Sequence, residues 1–364
     1  MSHRLKISFF GSSLSSGYRN PWIGFYRGLI RALSEHGHRV TFYEPEAGDG
    51  RNHRDIAKPH WARVVVYPAT DESALEALER AEESDLIVKC SGVGVCDDLL
   101  EAAVLELKKP ETLVAFLDMD APATLDRIQK DAEDLFRPLI PEYDFILTRR
   151  GGAPVMDAYL AAGASECVPI YDALDLHLHF PAPPEKRFAA DLGFLNDRLP
   201  EREARTHEFF FKPAARLPAQ KFLLAGNGWQ DQPMRANVAC PGAIQAAEHN
   251  AFNSTPRAIL NINRGCAARY GFSPPSGVFE AAGVGACLIT DKWEGIELFL
   301  EPDREVLVAG NGEEVAEHLA QLTPEKARQI GRAAHARVLA AHTYAHRADQ
   351  LEKVLEGKAG RVIA

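Results

Sequence analysis

Residues Ile259–Asp291 read ILNINRGCAARYGFSPPSGVFEAAGVGACLITD. The apolar run Ala258–Ile262 predicts a strand leading to Arg264, and the irregular loop beyond it holds Arg269. Ser276-Gly277 opens a helix expected over Ser276–Gly283, and Cys287–Thr290 predicts the next strand. Two strands joined through a helix form a βαβ unit, so this stretch places the chain among parallel α/β folds. A helix start with free backbone N–H groups, glycine for close approach and serine as cap is an anion site. Arg264 and Arg269 would add charge-assisted bonds to a phosphate. Glu280, one turn in, is placed to reach a ribose diol. The alternative is structural: Ser276 only caps, and Glu280 only complements the helix dipole.

The same rhythm extends in both directions. Upstream, strands are expected at Leu5–Phe10, Arg39–Tyr43, Arg63–Tyr67, Leu86–Lys89, Leu113–Leu117, Phe145–Thr148 and Cys167–Pro169. Helical patterns lie between them, around Trp22–Glu35, Glu72–Ala81, Asp97–Leu107, Ala123–Leu135 and Val155–Ala162. The prolines at 181, 183 and 184 then interrupt both periods and suit a stiff linker. After them come strands at Ala190–Leu195, Lys221–Ala225 and Val306–Val308, with helices at Pro200–Phe211, Ile244–Asn250 and Glu313–Leu322. The tail from Pro324 to about Leu355 reads as helix throughout. Three parts are therefore expected: residues 1–180, residues 188–341, and a C-terminal helix and tail over 342–364. That helix either crosses back over the hinge or caps the second domain alone.

Composition narrows the function classes. The 364 residues are 46% hydrophobic and carry 41 Lys and Arg against 51 Asp and Glu, a net charge of −10. Dedicated nucleic-acid wrapping and anionic-membrane binding need a basic surplus, so neither fits, whereas a local basic site for a small phosphorylated molecule does. Six cysteines without a C-x-x-C pair argue against a zinc ribbon or disulfide framework. No stretch reaches the ~18 apolar residues of a membrane span, and the N-terminus lacks a signal-peptide core, so a cytoplasmic protein is expected.

In the first half, Gly11, Ser12, Ser13, Ser16 and Gly17 form a Gly/Ser loop directly after the first strand, with Arg19 just beyond. Loops at the carboxyl ends of parallel strands face the ligand crevice, so these residues are candidates for lining that cleft or approaching a bound phosphate. A plain surface loop is the competing reading, and no Gly-Lys-Ser/Thr follows to make a P-loop. Gly92 and Gly94 lack the third glycine of a dinucleotide fingerprint, because Asp97 stands there. Asp118 and Asp120 end the fifth strand, where a carboxylate can take the proton of an acceptor hydroxyl; helix capping is the alternative. Trp229, after Gly226-Asn-Gly228, is a candidate to stack on a base, or else a buried ring under the loop. His177 and His179 share one side of an extended segment and could clasp a metal, but no acidic or sulfur ligand stands near them. His342 and His346 are i,i+4, a zinc-enzyme spacing, but without H-E-x-x-H, so packing or surface roles and no metal site are expected.

These segments resemble one family. Leu260-Asn261-Ile262-Asn263-Arg264 with the run Phe279–Asp291 looks like the signature of bacterial CgeB-like (spore maturation protein B-like) glycosyltransferases of the GT-B superfamily. Phe299-Leu300-Glu301-Pro302 and His342-Thr343-Tyr344 with His346-Arg347 follow the same pattern, as do Asp191–Asn196 with Arg198 and Arg202. The resemblance implies two Rossmann-like domains facing each other across a cleft. It also implies a nucleotide-sugar donor held mainly by the second domain, an acceptor held mainly by the first, and no obligatory metal or cofactor. Carried over singly, Glu280 matches the carboxylate on the donor ribose, Ser276 and Gly277 the diphosphate-facing helix start, and Arg264 the basic position after the strand. On this reading Arg198, with Arg264 and Arg269, would offset the charge of the departing nucleoside diphosphate, and Asn196 beside it is a further donor-site candidate. Eight residues before Glu280 stands Phe272, where retaining members carry the first glutamate of Glu-x7-Glu, which leaves the sugar and the stereochemical outcome open.

The expected function is transfer of a sugar from a nucleoside diphosphate sugar to an acceptor hydroxyl on a small molecule, glycan or protein. A GT-B nucleotide-sugar epimerase and a non-catalytic protein that binds a nucleotide sugar or a sugar stand as alternatives.

Overall fold

The computed structural model describes residues 4–18, 20–46, 53–56, 58–263, 265 and 271–362. The chain divides into two compact units, one made of Met1–Tyr171 with Tyr344–Ala364 and the other of Asp172–Thr343.

The first unit is built on a parallel sheet of seven strands: β1 (Lys6–Phe10), β2 (Arg39–Glu46), β3 (Arg63–Pro68), β4 (Leu86–Cys90), β5 (Leu113–Asp118), β6 (Phe145–Thr148) and β7 (Cys167–Pro169). Their order is β3-β2-β1-β4-β5-β6-β7, with Ile7 paired to Val40 on one side and to Leu86 on the other. β4 and β5 are buried along their whole length, which is why they read as apolar runs interrupted only by Lys89 and closed by Asp118. The Ile23–Glu35 helix turns Phe25, Tyr26, Leu29, Ile30 and Leu33 inward at helical spacing.

The second unit carries six parallel strands: β8 (Leu192–Leu195), β9 (Phe222–Ala225), β10 (Val238–Gly242), β11 (Ala258–Asn261), β12 (Leu288–Asp291) and β13 (Leu307–Ala309), in the order β10-β9-β8-β11-β12-β13. Phe194, Phe210, Phe222, Leu224, Ile289 and Leu319 are among the residues of its core. Gly285, at φ 77°, ends the Ser276–Gly283 helix: its N–H and that of Ala286 return to the carbonyls of Ala282 and Ala281.

Three features differ from the sequence expectations. β10 is an additional strand, an edge strand that tolerates Pro241 because one side needs no ladder donor. The C-terminal tail is two helices, Pro324–Ala341 and Tyr344–Val362. The break falls where the His342 carbonyl accepts the N–H of Leu174 at 2.8 Å and Thr343 bridges to Leu174. Finally, the units part at Tyr171/Asp172, ahead of the prolines. The proline segment itself lies in the second unit, where the N–H of Ala182 donates to Ser254 Oγ and that of Glu185 to Thr255 Oγ1. Among the described residues no helix is long and apolar enough to cross a membrane.

Candidate functional site

Strand order locates a candidate site in each unit. In the second, the direction of winding reverses between β8 and β11, so the loops leaving those two strands flank the switch point, where open α/β sheets take their ligands. Asn196 follows β8. Ile262 and Asn263 follow β11, and the Ser276–Gly283 helix starts beyond them.

Ser276 is the exposed first residue of that helix. Its N-cap is Pro275, and no side chain caps the start, which corrects the expected serine cap and leaves the first-turn N–H groups without a side-chain acceptor. Gly277 sits against Asn261: a Cβ there would lie 2.0 Å from Asn261 Nδ2, so only glycine fits without displacing the amide. Glu280 is half-buried one turn on. Four polar atoms in this region are buried without a hydrogen-bond partner: Asn261 Oδ1, Asn263 Nδ2, Ser273 Oγ and Trp293 Nε1. Asn263, Ser273 and Trp293 are 5%, 3% and 4% exposed. Such groups each cost ~1–3 kcal/mol unless something bonds them, and a polar ligand or ordered water would relieve that cost.

The loop after β11 is held by charge. Asp291 Oδ1, at the end of β12, accepts the Asn263 N–H at 2.8 Å, while Arg205 reaches Asp291 Oδ2 at 2.5 Å and the Asn263 carbonyl at 2.9 Å. Burial raises the Asp291 pKa above the usual carboxylate value, against the Asn263 hydrogen bond and the Arg205 charge, which lower it. Phe272, at the position of the missing glutamate, takes a left-handed backbone (φ 43°), with its N–H on the Glu294 carbonyl and its ring over Gly295. A phenylalanine held there stores of order 1–3 kcal/mol of strain.

The remaining second-unit candidates do not point at an open ligand position. Asn196 is buried, its amide shared between Arg202 and Thr206. Arg198 pairs with Glu203 at 2.6 Å and lies over the Trp229 ring. Trp229 is 4% exposed, packs on Phe211 and donates its indole N–H to the Asn196 carbonyl at 2.6 Å, so the expected stacking face is in the core. His342 packs between Phe279 and Phe299. Arg264 and Arg269 lie outside the described residues, as does Arg19 of the first unit.

In the first unit the reversal falls between β1 and β4. The Gly/Ser loop after β1 is closed on itself around Glu44, a buried carboxylate on β2. Glu44 accepts from Ser13 Oγ at 3.1 Å, from the N–H groups of Leu14 and Ser15 at 2.5 and 3.0 Å, and from Ser15 Oγ. Gly11 lies against the Phe42 ring, where a Cβ would be 2.4 Å away. Ser16 bonds the His53 carbonyl, and the Gly17 N–H donates to Asp55. The phosphate-like cradle made by Ser13, Leu14 and Ser15 is therefore filled by a side chain of the protein itself. Ser12 stands half-buried at its edge.

Asp118 and Asp120 separate in role. Asp118 is fully buried, accepting from Ser91 Oγ at 2.9 Å, from the Asp120 N–H at 3.0 Å and from Tyr159 Oη. Burial pushes its pKa up, and these bonds pull it down. A carboxylate so enclosed cannot meet an acceptor, which corrects that expectation for Asp118. Asp120 is exposed at the start of the Ala121–Lys130 helix, and its side chain caps nothing.

Residues 202–353 match the family model described as glycosyl transferase-like. No curated protein sequence matches the chain. Among solved structures, sucrose-phosphate synthase from Thermosynechococcus elongatus superposes with a TM-score of 0.65 at 15% identity, over 97% of this chain and 99% of that one. Anabaena HepE in complex with UDP-glucose gives 0.69 at 13% identity, over 97% and 100%. An alpha-glucosyltransferase in complex with UDP-glucose and DNA containing an abasic site gives 0.70 at 11%, again over 97% and 100%. The chain thus has the two-sheet α/β fold of the GT-B glycosyltransferases, and its residues 202–353 are glycosyl transferase-like in sequence.

Proposed function

We propose that the protein is a glycosyltransferase that takes a nucleoside diphosphate sugar as donor and passes the sugar to an acceptor hydroxyl without a catalytic metal. The observation that carries the reading is the uncapped helix start at Ser276 and Gly277 beyond the switch-point strand β11, on a stretch whose loops also carry the unpartnered buried atoms Asn263 Nδ2, Ser273 Oγ and Trp293 Nε1. It falls within the glycosyl transferase-like segment. A helix N-terminus stabilises the charge that develops on a departing nucleoside diphosphate, and its dipole needs no reorganisation as the bond breaks. Glu280 is assigned to the donor ribose, and Arg264 and Arg269 to the diphosphate. Asp120 is assigned to the acceptor proton, since it is the exposed carboxylate after β5.

UDP-glucose, the ligand of the HepE and alpha-glucosyltransferase structures, is the first donor to test. The finer assignment, to the CgeB-like group, rests on the sequence pattern quoted above. Calorimetric titration with UDP, dTDP, GDP and ADP should show one tight nucleotide, weakened at least tenfold by Glu280→Ala. Unchanged affinity in that variant removes the ribose contact, and no binding of any nucleoside diphosphate removes the whole reading. Incubation with donor alone separates transfer from epimerisation: an epimerase alters the sugar without releasing nucleoside diphosphate. Retention of transfer in EDTA tests metal independence.

A further inference from the structure

The first unit contains a side-chain cluster that plays no part in sugar transfer. His36 follows the Ile23–Glu35 helix as its C-cap, and Asp349 and Glu352 lie three residues apart on one face of the Tyr344–Val362 helix packed against it. His36 Nδ1 is 3.0 Å from Glu352 Oε1 and 3.8 Å from Asp349 Oδ1, and one ligand atom from each of the three residues lies within 4.8 Å of the others. Glu352 hydrogen-bonds the imidazole, whereas Asp349, at 3.8 Å, is too far to do so.

Two of the three separations lie on either side of the edge of a zinc coordination polyhedron, and the third is within 4.8 Å. Zinc bound by imidazole nitrogen and carboxylate oxygen at ~2.0–2.2 Å in tetrahedral geometry sets its ligand atoms roughly 3.3–3.5 Å apart. The two observed distances bracket that value. A neighbouring histidine supplies the orienting hydrogen bond that metal-ligating carboxylates receive. The Leu5 N–H donates to His38 Nδ1 at 3.1 Å, which puts the proton of the neutral ring on Nε2, and Nε2 lies 2.8 Å from Glu352 Oε1. His38 is buried and so held as a donor to the carboxylate rather than as a ligand.

We infer that His36 Nδ1, Asp349 and Glu352 bind one zinc ion that ties the C-terminal helix to the end of the Ile23–Glu35 helix. Asp349 is half-exposed, which leaves a fourth position for water. One imidazole with two carboxylates favours zinc over magnesium and calcium, which prefer all-oxygen sites. The role is structural and separate from the metal-free transfer proposed above.

The test uses the full chain, stripped with EDTA and dialysed. Zinc titration by calorimetry should give one saturable equivalent and raise the melting temperature by several degrees, reversibly with EDTA. Magnesium should do neither. Asp349→Asn, a surface change that leaves the metal-free melt unaltered, and His36→Gln should each weaken zinc binding at least tenfold. Absence of saturable zinc binding, equal binding of magnesium, or unchanged zinc affinity in Asp349→Asn overturns the inference; the last outcome would place any bound zinc on cysteines or histidines elsewhere.

Discussion

The indole N–H of Trp229 donates to the main-chain carbonyl of Asn196 at 2.6 Å, fastening the loop after β9 to the loop after β8. Trp229→Phe keeps the ring in the core and leaves that buried carbonyl unpaired. The expected cost is about 1–3 kcal/mol, read from urea denaturation. Affinity for nucleoside diphosphate should change by less than about twofold, because the ring presents no face to a base. A large affinity loss at unchanged stability would restore the stacking role.

Glu44 organises the Gly/Ser loop from inside. Glu44→Ala strands the donors of Ser13, Leu14 and Ser15 together, and about 2–4 kcal/mol of stability should be lost. Glu44→Gln keeps one acceptor oxygen and should lose roughly half as much. If alanine and glutamine behave alike, the loop is not held by these hydrogen bonds.

Glu101 gives a stability term with a definite pH direction. Burial raises its pKa to about 7, against the Lys89 charge, which lowers it. Lys89 is itself fully buried, and its Nζ lies 2.7 Å from Asp97 and 4.0 Å from Glu101. Because the folded protein holds the Glu101 proton more tightly than the unfolded chain, this contribution is complete below about pH 4.5 and is lost as pH rises to about 7. The span amounts to a few kcal/mol, about 1.4 per pH unit. Glu101→Gln should flatten that decline and be more stable than the native chain at pH 8. An equal slope in both proteins would show that Glu101 ionises normally.

Gly331 sets helix propensity against packing. Alanine in a helix interior is worth about 1 kcal/mol over glycine. In the Pro324–Ala341 helix, however, a Cβ at Gly331 would lie 2.1 Å from the Gly285 carbonyl oxygen and 3.0 Å from the Ala286 carbonyl carbon, main-chain atoms that have no rotamer in which to withdraw. Overpacking should prevail, and Gly331→Ala should lower stability by about 1–3 kcal/mol net. A higher melting temperature would show that the two segments are not in close contact.

How much of this was legible in the sequence depends on where each signal resides. β4 and β5 are buried on both faces, so their composition announced them. β10 was not legible because its burial alternates irregularly and Pro241 argues against a strand. The break at His342-Thr343 has neither proline nor glycine; its cause is a hydrogen bond to Leu174, far away in sequence. At the candidate site, Ser276, Gly277 and Glu280 could be read from a local pattern. Asn263, Ser273 and Trp293 could not, because what marks them is burial without a partner. Arg198 reads as a phosphate ligand, yet Glu203, in the first turn of the Pro200–Thr206 helix that follows, takes its charge. Glu44 was invisible for the same reason as the break: its partners stand in a loop on another element.

The first unit is discontinuous in the chain, and synthesis order then matters. Residues Asp172–Thr343 form an uninterrupted unit that can close without the last helix. The seven-stranded sheet, although translated first, waits for Tyr344 to cover Gly28 and for Glu352 to meet His36 and His38. A chain truncated after residue 343 would therefore keep every residue of the second unit and lack the helix that completes the first.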